Sequence, residues 1–262
     1  MKAVAGLLLL VAACSQQDAA PSANQADPAA GSAARAAALP AARPFAVKLH
    51  NDLFEFDFTW PAEAAAVPQL AQSLRAKMEK SKAELIAGAK EDKAYRDKQG
   101  FDFQPHSAST SYETAGQSPR LLSLRADAGG YSGGAHGNFG TGALLWDRQA
   151  GKEIAFADLF AARGNRDRLL TQGWCDALNK ARAEKRGEPV AGGGLFDDCP
   201  PLDDIAVIPV DSNKDGKFDR LLLVASPYVA GPWVEGSYEI ELPLTADLIA
   251  ALKSEYRPSF TA

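Results

Sequence analysis

From Phe45 the chain alternates. Phe45, Val47 and Leu49, then Leu53, Phe54, Phe56 and Phe58, set apolar side chains at or near every second position up to Trp60-Pro61. A period of two is what a half-buried strand requires, so this stretch predicts one or two strands. The period then changes. From about residue 68 to residue 98, Leu70, Leu74, Met78, Leu85, Ile86 and Ala89 share one face, and Lys and Glu fill the others. That is a long amphipathic helix whose charge run forms a solvated side. Strand-like runs follow at 109–115, 119–127 and 137–147, with a turn over 148–152. A second helical region, 163–186, carries Leu169, Leu170, Trp174, Ala177 and Leu178. Strands at 204–210, 217–225 and 236–242, then a short helix from Thr245 to Tyr256, complete the pattern. Strand runs grouped apart from helices predict an α+β fold, with antiparallel sheet and flanking helices and without βαβ units.

The front of the chain patterns differently. Lys2 precedes an apolar run from Ala3 to Ala13, too short for a permanent span and the size of a signal-peptide core. It ends in Val11-Ala12-Ala13-Cys14, which resembles the lipobox of bacterial lipoproteins, with Val where Leu is usual. The expectation is a signal peptide over 1–13, cleavage before Cys14 and lipidation of that residue. General signal-peptidase cleavage is the alternative. A lipid anchor places the protein in the cell envelope, on the periplasmic face, and Ser15 after the cysteine favours the outer membrane in a Gram-negative cell. Residues 15–43 hold thirteen Ala with Pro, Ser, Gln and Asp, and Leu39 is their one large apolar side chain. So little apolar surface cannot offset ordering entropy, so 14–43 reads as the lipidated cysteine and a linker.

Composition narrows the classes. The 262 residues carry 28 Lys plus Arg against 33 Asp plus Glu, a formal net charge of -5, so phosphate recognition by basic side chains has no footing and nucleic acid is not an expected partner. His50, His106 and His136 are the three histidines, isolated by tens of residues, which leaves no His pair for a metal hydrolase. Beyond Cys14 one pair of cysteines remains, Cys175 and Cys199. In an exported protein they predict a disulfide, stabilising by roughly 3 kcal/mol in the chain-entropy model, with two free buried thiols as the alternative.

Three segments could carry chemistry. Gly133-Gly134-Ala135-His136-Gly137-Asn138 reads as a turn between strands, with ligand contact through His136 as its functional reading. No Ser, Cys or acid at a recognisable spacing marks a triad there. Asp211-Ser212-Asn213-Lys214-Asp215-Gly216-Lys217-Phe218-Asp219 puts oxygens at positions one, three, five and nine of a calcium loop, with glycine at six and the Lys217 carbonyl at seven. Position twelve is Leu222, so the bidentate Glu is missing, and a polar hairpin turn needing no ion is the alternative. The candidate calcium ligands are thus Asp211, Asn213, Asp215, Lys217 and Asp219. Tyr228, Trp233 and Tyr238 lie among Pro and Gly, with Tyr131 and Trp146 in the other motif, as ligand anchors or core plugs. The binding candidates are Tyr131, His136, Asn138, Tyr228 and Trp233.

YSGGAHGNFGTGALLW at 131–146, GKEIAFADLF at 151–160 and SPYVAGPWVEGSYEIELPL at 226–244 together carry a resemblance. They are similar to the extracytoplasmic domain shared by RsiV-type lysozyme-sensing anti-sigma factors and the N-terminal region of PdaC-type peptidoglycan deacetylases. The resemblance covers most of 44–255. It implies a two-lobed α+β domain, 44–128 and 129–262, that works by binding and is not the deacetylase catalytic domain. The chain departs from both relatives, since it holds neither an anti-sigma factor's transmembrane helix and cytoplasmic segment nor a deacetylase catalytic domain. The expectation is therefore a non-enzymatic envelope lipoprotein that binds a lysozyme-like muramidase or cell-wall glycan. The rival is a glycan hydrolase or deacetylase using an unrecognised carboxylate site, for which Asp197, Asp198, Asp203 and Asp204 are the adjacent acids.

Overall fold

Alternation in the first body segment gives two antiparallel strands, β1 (Phe45–His50) and β2 (Phe54–Trp60), in a computed structural model that describes residues 42–262. The expected signal run 1–13, the lipidation site Cys14 and all but the last two residues of 14–43 lie outside the described residues. After a single turn, α1 (Ala62–Ala65), the amphipathic stretch forms α2 (Pro68–Gln99). Pro68 starts it where no intrahelical N–H is needed, and Gly100 at φ 72° ends it, with Phe101 N–H donating to Arg96 O at 2.9 Å. β3 (His106–Gln117), β4 (Leu121–Tyr131), β5 (Asn138–Asp147) and β6 (Lys152–Ile154) complete a six-stranded sheet in the order β1-β2-β3-β4-β5-β6.

One pair departs from the antiparallel expectation. β2 and β3 are parallel, joined by the crossover through α2, so one βαβ unit is present in a mainly antiparallel sheet. The reason is length: a connection that carries a 32-residue helix can return the chain to the end it left, as a tight turn cannot.

Beyond β6, the second helical region forms α3 (Arg163–Arg186), capped by Gly187 at φ 76°. A three-stranded antiparallel sheet follows, β7 (Ala206–Val210), β8 (Arg220–Ala225) and β9 (Tyr238–Pro243), then α4 (Ala246–Ala251), whose Thr245 side chain accepts Leu248 N–H at 3.2 Å. The position expected to divide the lobes, 128/129, falls inside β4, because β5 and β6 continue the first sheet.

Two large cores result. Phe54, Phe56, Phe58, Trp60, Tyr112, Leu122, Leu124, Leu144 and Trp146 pack one face of the six-stranded sheet against Leu70, Leu74 and Met78 of α2. Leu121 and Leu145, on the opposite face at one end, join Leu170, Trp174 and Leu178 of α3, Leu221 and Leu223 of β8, and Leu248. Each fully buried side chain of this size contributes about 1.5–3 kcal/mol. Cys175 of α3 is disulfide-bonded to Cys199, Cα to Cα 5.5 Å, which ties α3 to the segment before β7. Among the described residues no helix is long and apolar enough to cross a membrane.

Candidate functional site

The face of the large sheet turned away from α2 is polar wherever the second core does not cover it. Strand register sorts its side chains into rows. One row runs Lys48, Asp57, Ser109, Gly129, Phe139 across β1 to β5, and the next runs Thr59, Ser111, Asp127, Thr141 across β2 to β5. Lys185 at the end of α3, Ser237 just before β9 and Glu239 of β9 stand over them, enclosing an open groove of about 930 Å³. Gly129 keeps the floor low: a Cβ there would sit 3.3 Å from Ser109 Oγ.

The charges in the groove are matched. Lys48 Nζ lies 3.1 Å from Asp57 Oδ1. Arg125 donates from both terminal nitrogens to Glu239, at 2.9 and 2.7 Å, and from Nε to Asp127 at 2.7 Å, so the guanidinium joins the two sheets. Thr141 Oγ1 donates to Asp127 Oδ1 at 2.5 Å, and Thr141 N–H reaches Ser226 Oγ at 3.0 Å. Hydrogen bonds to Glu239 and then Asp127 raise the Arg125 pKa, and Arg125 in turn holds Glu239 below the usual carboxylate range. Burial alone would raise Asp127, but Arg125 and Thr141 outweigh it and the pKa falls. Lys185 Nζ donates to the carbonyls of Glu235 at 2.7 Å and Ser237 at 2.8 Å. What the groove offers a ligand is hydroxyl groups on Thr59, Ser111 and Ser237, the Ser109 hydroxyl, which donates a long bond of 3.4 Å to Gly129 O, and the half-exposed ring of Phe139.

Two of the residues singled out in the sequence meet at the rim. His136 and Trp233 have ring centroids 4.3 Å apart, and Phe139 meets Trp233 edge-on at 6.3 Å, so the β4–β5 and β8–β9 loops form one aromatic corner. Tyr131 donates to Gly134 O at 3.1 Å within its own turn, and Asn138 Oδ1 accepts the N–H of Phe139. The glycines of the motif serve the turn: Gly133 has φ 80°, and a Cβ on it would meet Arg96 Nη2 at 2.8 Å. Tyr228 lies elsewhere, exposed beside the 195–204 segment, with φ 69°, a left-handed conformation that costs a bulky residue about 1–2 kcal/mol.

The 211–219 loop joins β7 to β8, and its side chains are turned onto its own backbone. Asp211 accepts Asp215 N–H at 3.1 Å and Gly216 N–H at 3.0 Å, Asn213 Oδ1 accepts Asp215 N–H at 3.0 Å, and Asp215 Oδ1 accepts Lys217 N–H at 2.9 Å. Asp219 accepts Ser212 N–H at 2.8 Å. Lys214 at φ 61° and Gly216 at φ 85° make the reversal. Among the described residues no group of three or more His, Cys, Asp or Glu gathers to hold a metal ion. Asp211→Ala is expected to lower stability by about 1 kcal/mol equally in EDTA and in calcium, because it removes two backbone caps. A loss measured only in calcium would assign the carboxylate to an ion instead.

The adjacent acids stay outside the groove. Asp197 accepts Gly194 N–H at 2.8 Å and pairs with Arg186 at 3.2 Å, Asp203 pairs with Arg166 at 2.7 Å, and Asp198 and Asp204 are exposed. The groove residues themselves were not singled out in the sequence. Their one local signal is the polar alternation Ser107, Ser109, Ser111, which marks an uncovered sheet face.

Fold and groove together define an α+β domain with an uncovered polar sheet face. Residues 47–139, from β1 into β5, match the family model described as "Deacetylase PdaC", so this part of the chain is similar to a PdaC domain. Among solved structures, a DUF3298 family protein from Pseudomonas aeruginosa PAO1 aligns over 84% of this chain and 97% of its own, at 16% identity and TM-score 0.51. A DUF3298 family member from Bacteroides fragilis NCTC 9343 aligns over the same shares at 13% identity and TM-score 0.45. At 16% identity the first likeness is one of fold. No curated protein matches the chain.

Proposed function

We propose that the chain is a non-catalytic binding protein of the bacterial cell envelope, lipid-anchored through Cys14, whose groove takes a cell-wall glycan. The groove carries this reading. Its cations are matched by its own carboxylates or carbonyls, the polar groups it offers a ligand are hydroxyls, and Phe139 offers a ring face against which a sugar can pack. General acid catalysis calls for a carboxyl group held near the working pH. Asp127 and Glu239 are both held low by Arg125, which makes them anchors of the groove wall. The apolar run ending at Cys14 supports the anchor.

The test uses the purified chain with peptidoglycan fragments and, separately, with lysozyme, following binding, lysozyme activity and glycan turnover in the same samples. Expected is saturable glycan binding without turnover, weakened at least about tenfold by Ser109→Trp, which fills the exposed floor without touching either core. Turnover of the glycan would establish the hydrolase or deacetylase reading that the name of the matching family suggests. A tight lysozyme complex with inhibition, and no glycan binding, would replace the glycan by a muramidase, whose encounter the acidic balance of the chain favours.

A further inference from the structure

A second surface shares no lining residue with the groove. Leu195, 91% exposed, and Tyr228, 52% exposed, flank the half-buried Phe196 and Val229 around a concavity of about 530 Å³. Asp198 and Asp204 line the same concavity, both exposed, and among the described residues neither enters an ion pair. The segment that carries Leu195 is held from several sides. Gly194 N–H is capped by Asp197, the carbonyls of Asp197 and Asp198 accept from Arg182 at 3.0 Å each, and Cys199 is bonded to α3. Tyr228 is likewise fixed, its N–H donating to Gly231 O at 2.9 Å and Val229 N–H to Ser226 O at 3.1 Å.

Leu195 belongs to neither large core. Bulky apolar side chains on a hydrogen-bonded surface segment, with a tyrosine among them, have the composition of a protein-binding hot spot. Charge decides the occupant. The arginines packed nearby are already engaged: Arg182 by carbonyls, Arg186 by Glu235 and Asp197, Arg166 by Asp167 and Asp203. The negative charge of Asp198 and Asp204 is therefore uncompensated at this concavity. We propose that this surface docks a basic polypeptide segment, one that presents a bulky aliphatic side chain between flanking lysines or arginines. The apolar side chain enters between Leu195 and Tyr228 while the flanking cations face Asp198 and Asp204. The site is independent of the groove and of whatever occupies it.

The experiment titrates the full chain with two synthetic peptides of equal length, one alternating Leu with Lys and one alternating Leu with Glu. Expected is saturable binding of the Lys peptide, lost progressively with added salt, and no binding of the Glu peptide. Leu195→Asp and the double variant Asp198→Asn/Asp204→Asn should each weaken it about tenfold or more while melting as the parent does, because all three residues are exposed. Ser109→Trp should leave it unchanged. Equal binding of the Glu peptide, undiminished binding by Leu195→Asp, or loss in Ser109→Trp would each overturn the proposal, the last by moving the peptide into the groove.

Discussion

Arg182→Ala is expected to destabilise the protein by about 3–5 kcal/mol, with a fall in Tm on the order of 10 °C, measured by thermal and urea unfolding. Arg182 is fully buried. Its Nε donates to Ala230 O at 2.9 Å, one terminal nitrogen to Asn179 Oδ1 and Asp197 O at 3.0 Å each, and the other to Asp198 O at 3.0 Å. Burial, then the neighbouring Arg186, push its pKa down from the usual guanidinium value. A planar fork is what lets one side chain hold three carbonyls on two loops at once. Ala leaves the buried Ala230 carbonyl and the part-buried carbonyls of Asp197 and Asp198 without their donor, at about 1–3 kcal/mol for each that water does not reach. Arg182→Lys keeps a charge but has a single nitrogen, so it should recover only part of the loss. Full stability in the lysine variant would show that charge, and not the fork, holds the loops. The same two loops carry Leu195 and Tyr228, so the lysine variant should also bind the basic peptide less well at temperatures where it remains folded.

How much of this was legible beforehand depends on the range of the interaction. α2 was readable because Leu70, Leu74 and Met78 recur at helical spacing, a local fact. The Cys175–Cys199 bond was readable by counting, as the one pair beyond Cys14. The parallel pairing of β2 with β3 was not, since alternation assigns faces within a strand and is the same whichever way the neighbour runs. Leu121 and Leu122 show a second limit. Both are fully buried although adjacent, because the sheet is covered on both faces at that end, and a period-two reading cannot say which core claims which residue. The groove is the extreme case. Arg125 and Glu239 stand 114 positions apart, and nothing near either in the chain marks the pair; a concave surface arises only when β9 and the end of α3 are laid over the open face.

Asp147→Asn should lower stability by about 3 kcal/mol at pH 7, and the gap between the two proteins should close in acid. Asp147 is fully buried at the end of β5. Oδ2 accepts from Arg120 at 2.9 and 3.2 Å and from the Tyr256 hydroxyl at 3.1 Å, and Oδ1 accepts the N–H groups of Gln149 and Ala150 at 2.9 and 3.0 Å. One carboxylate thus ties the β3–β4 turn, the β5–β6 turn and the segment after α4. An asparagine matches its shape but turns an NH2 group toward donors. Burial alone would raise the Asp147 pKa; the bonds from Arg120, Ala150, Tyr256 and Gln149 outweigh it and hold it below the ordinary value. Because the folded value lies below the unfolded one, about 3.9, the stabilisation is fully present above the unfolded value and is lost as pH falls through the folded value. Asp92, Asp127, Asp219, Glu235 and Glu239 are also held low, so both proteins weaken in acid, and only the difference between them reports Asp147. Tm measured in steps from neutral to acid pH reads that difference directly. A gap that stayed constant across the range would mean that the shape of the side chain, and not its charge, fixes this junction.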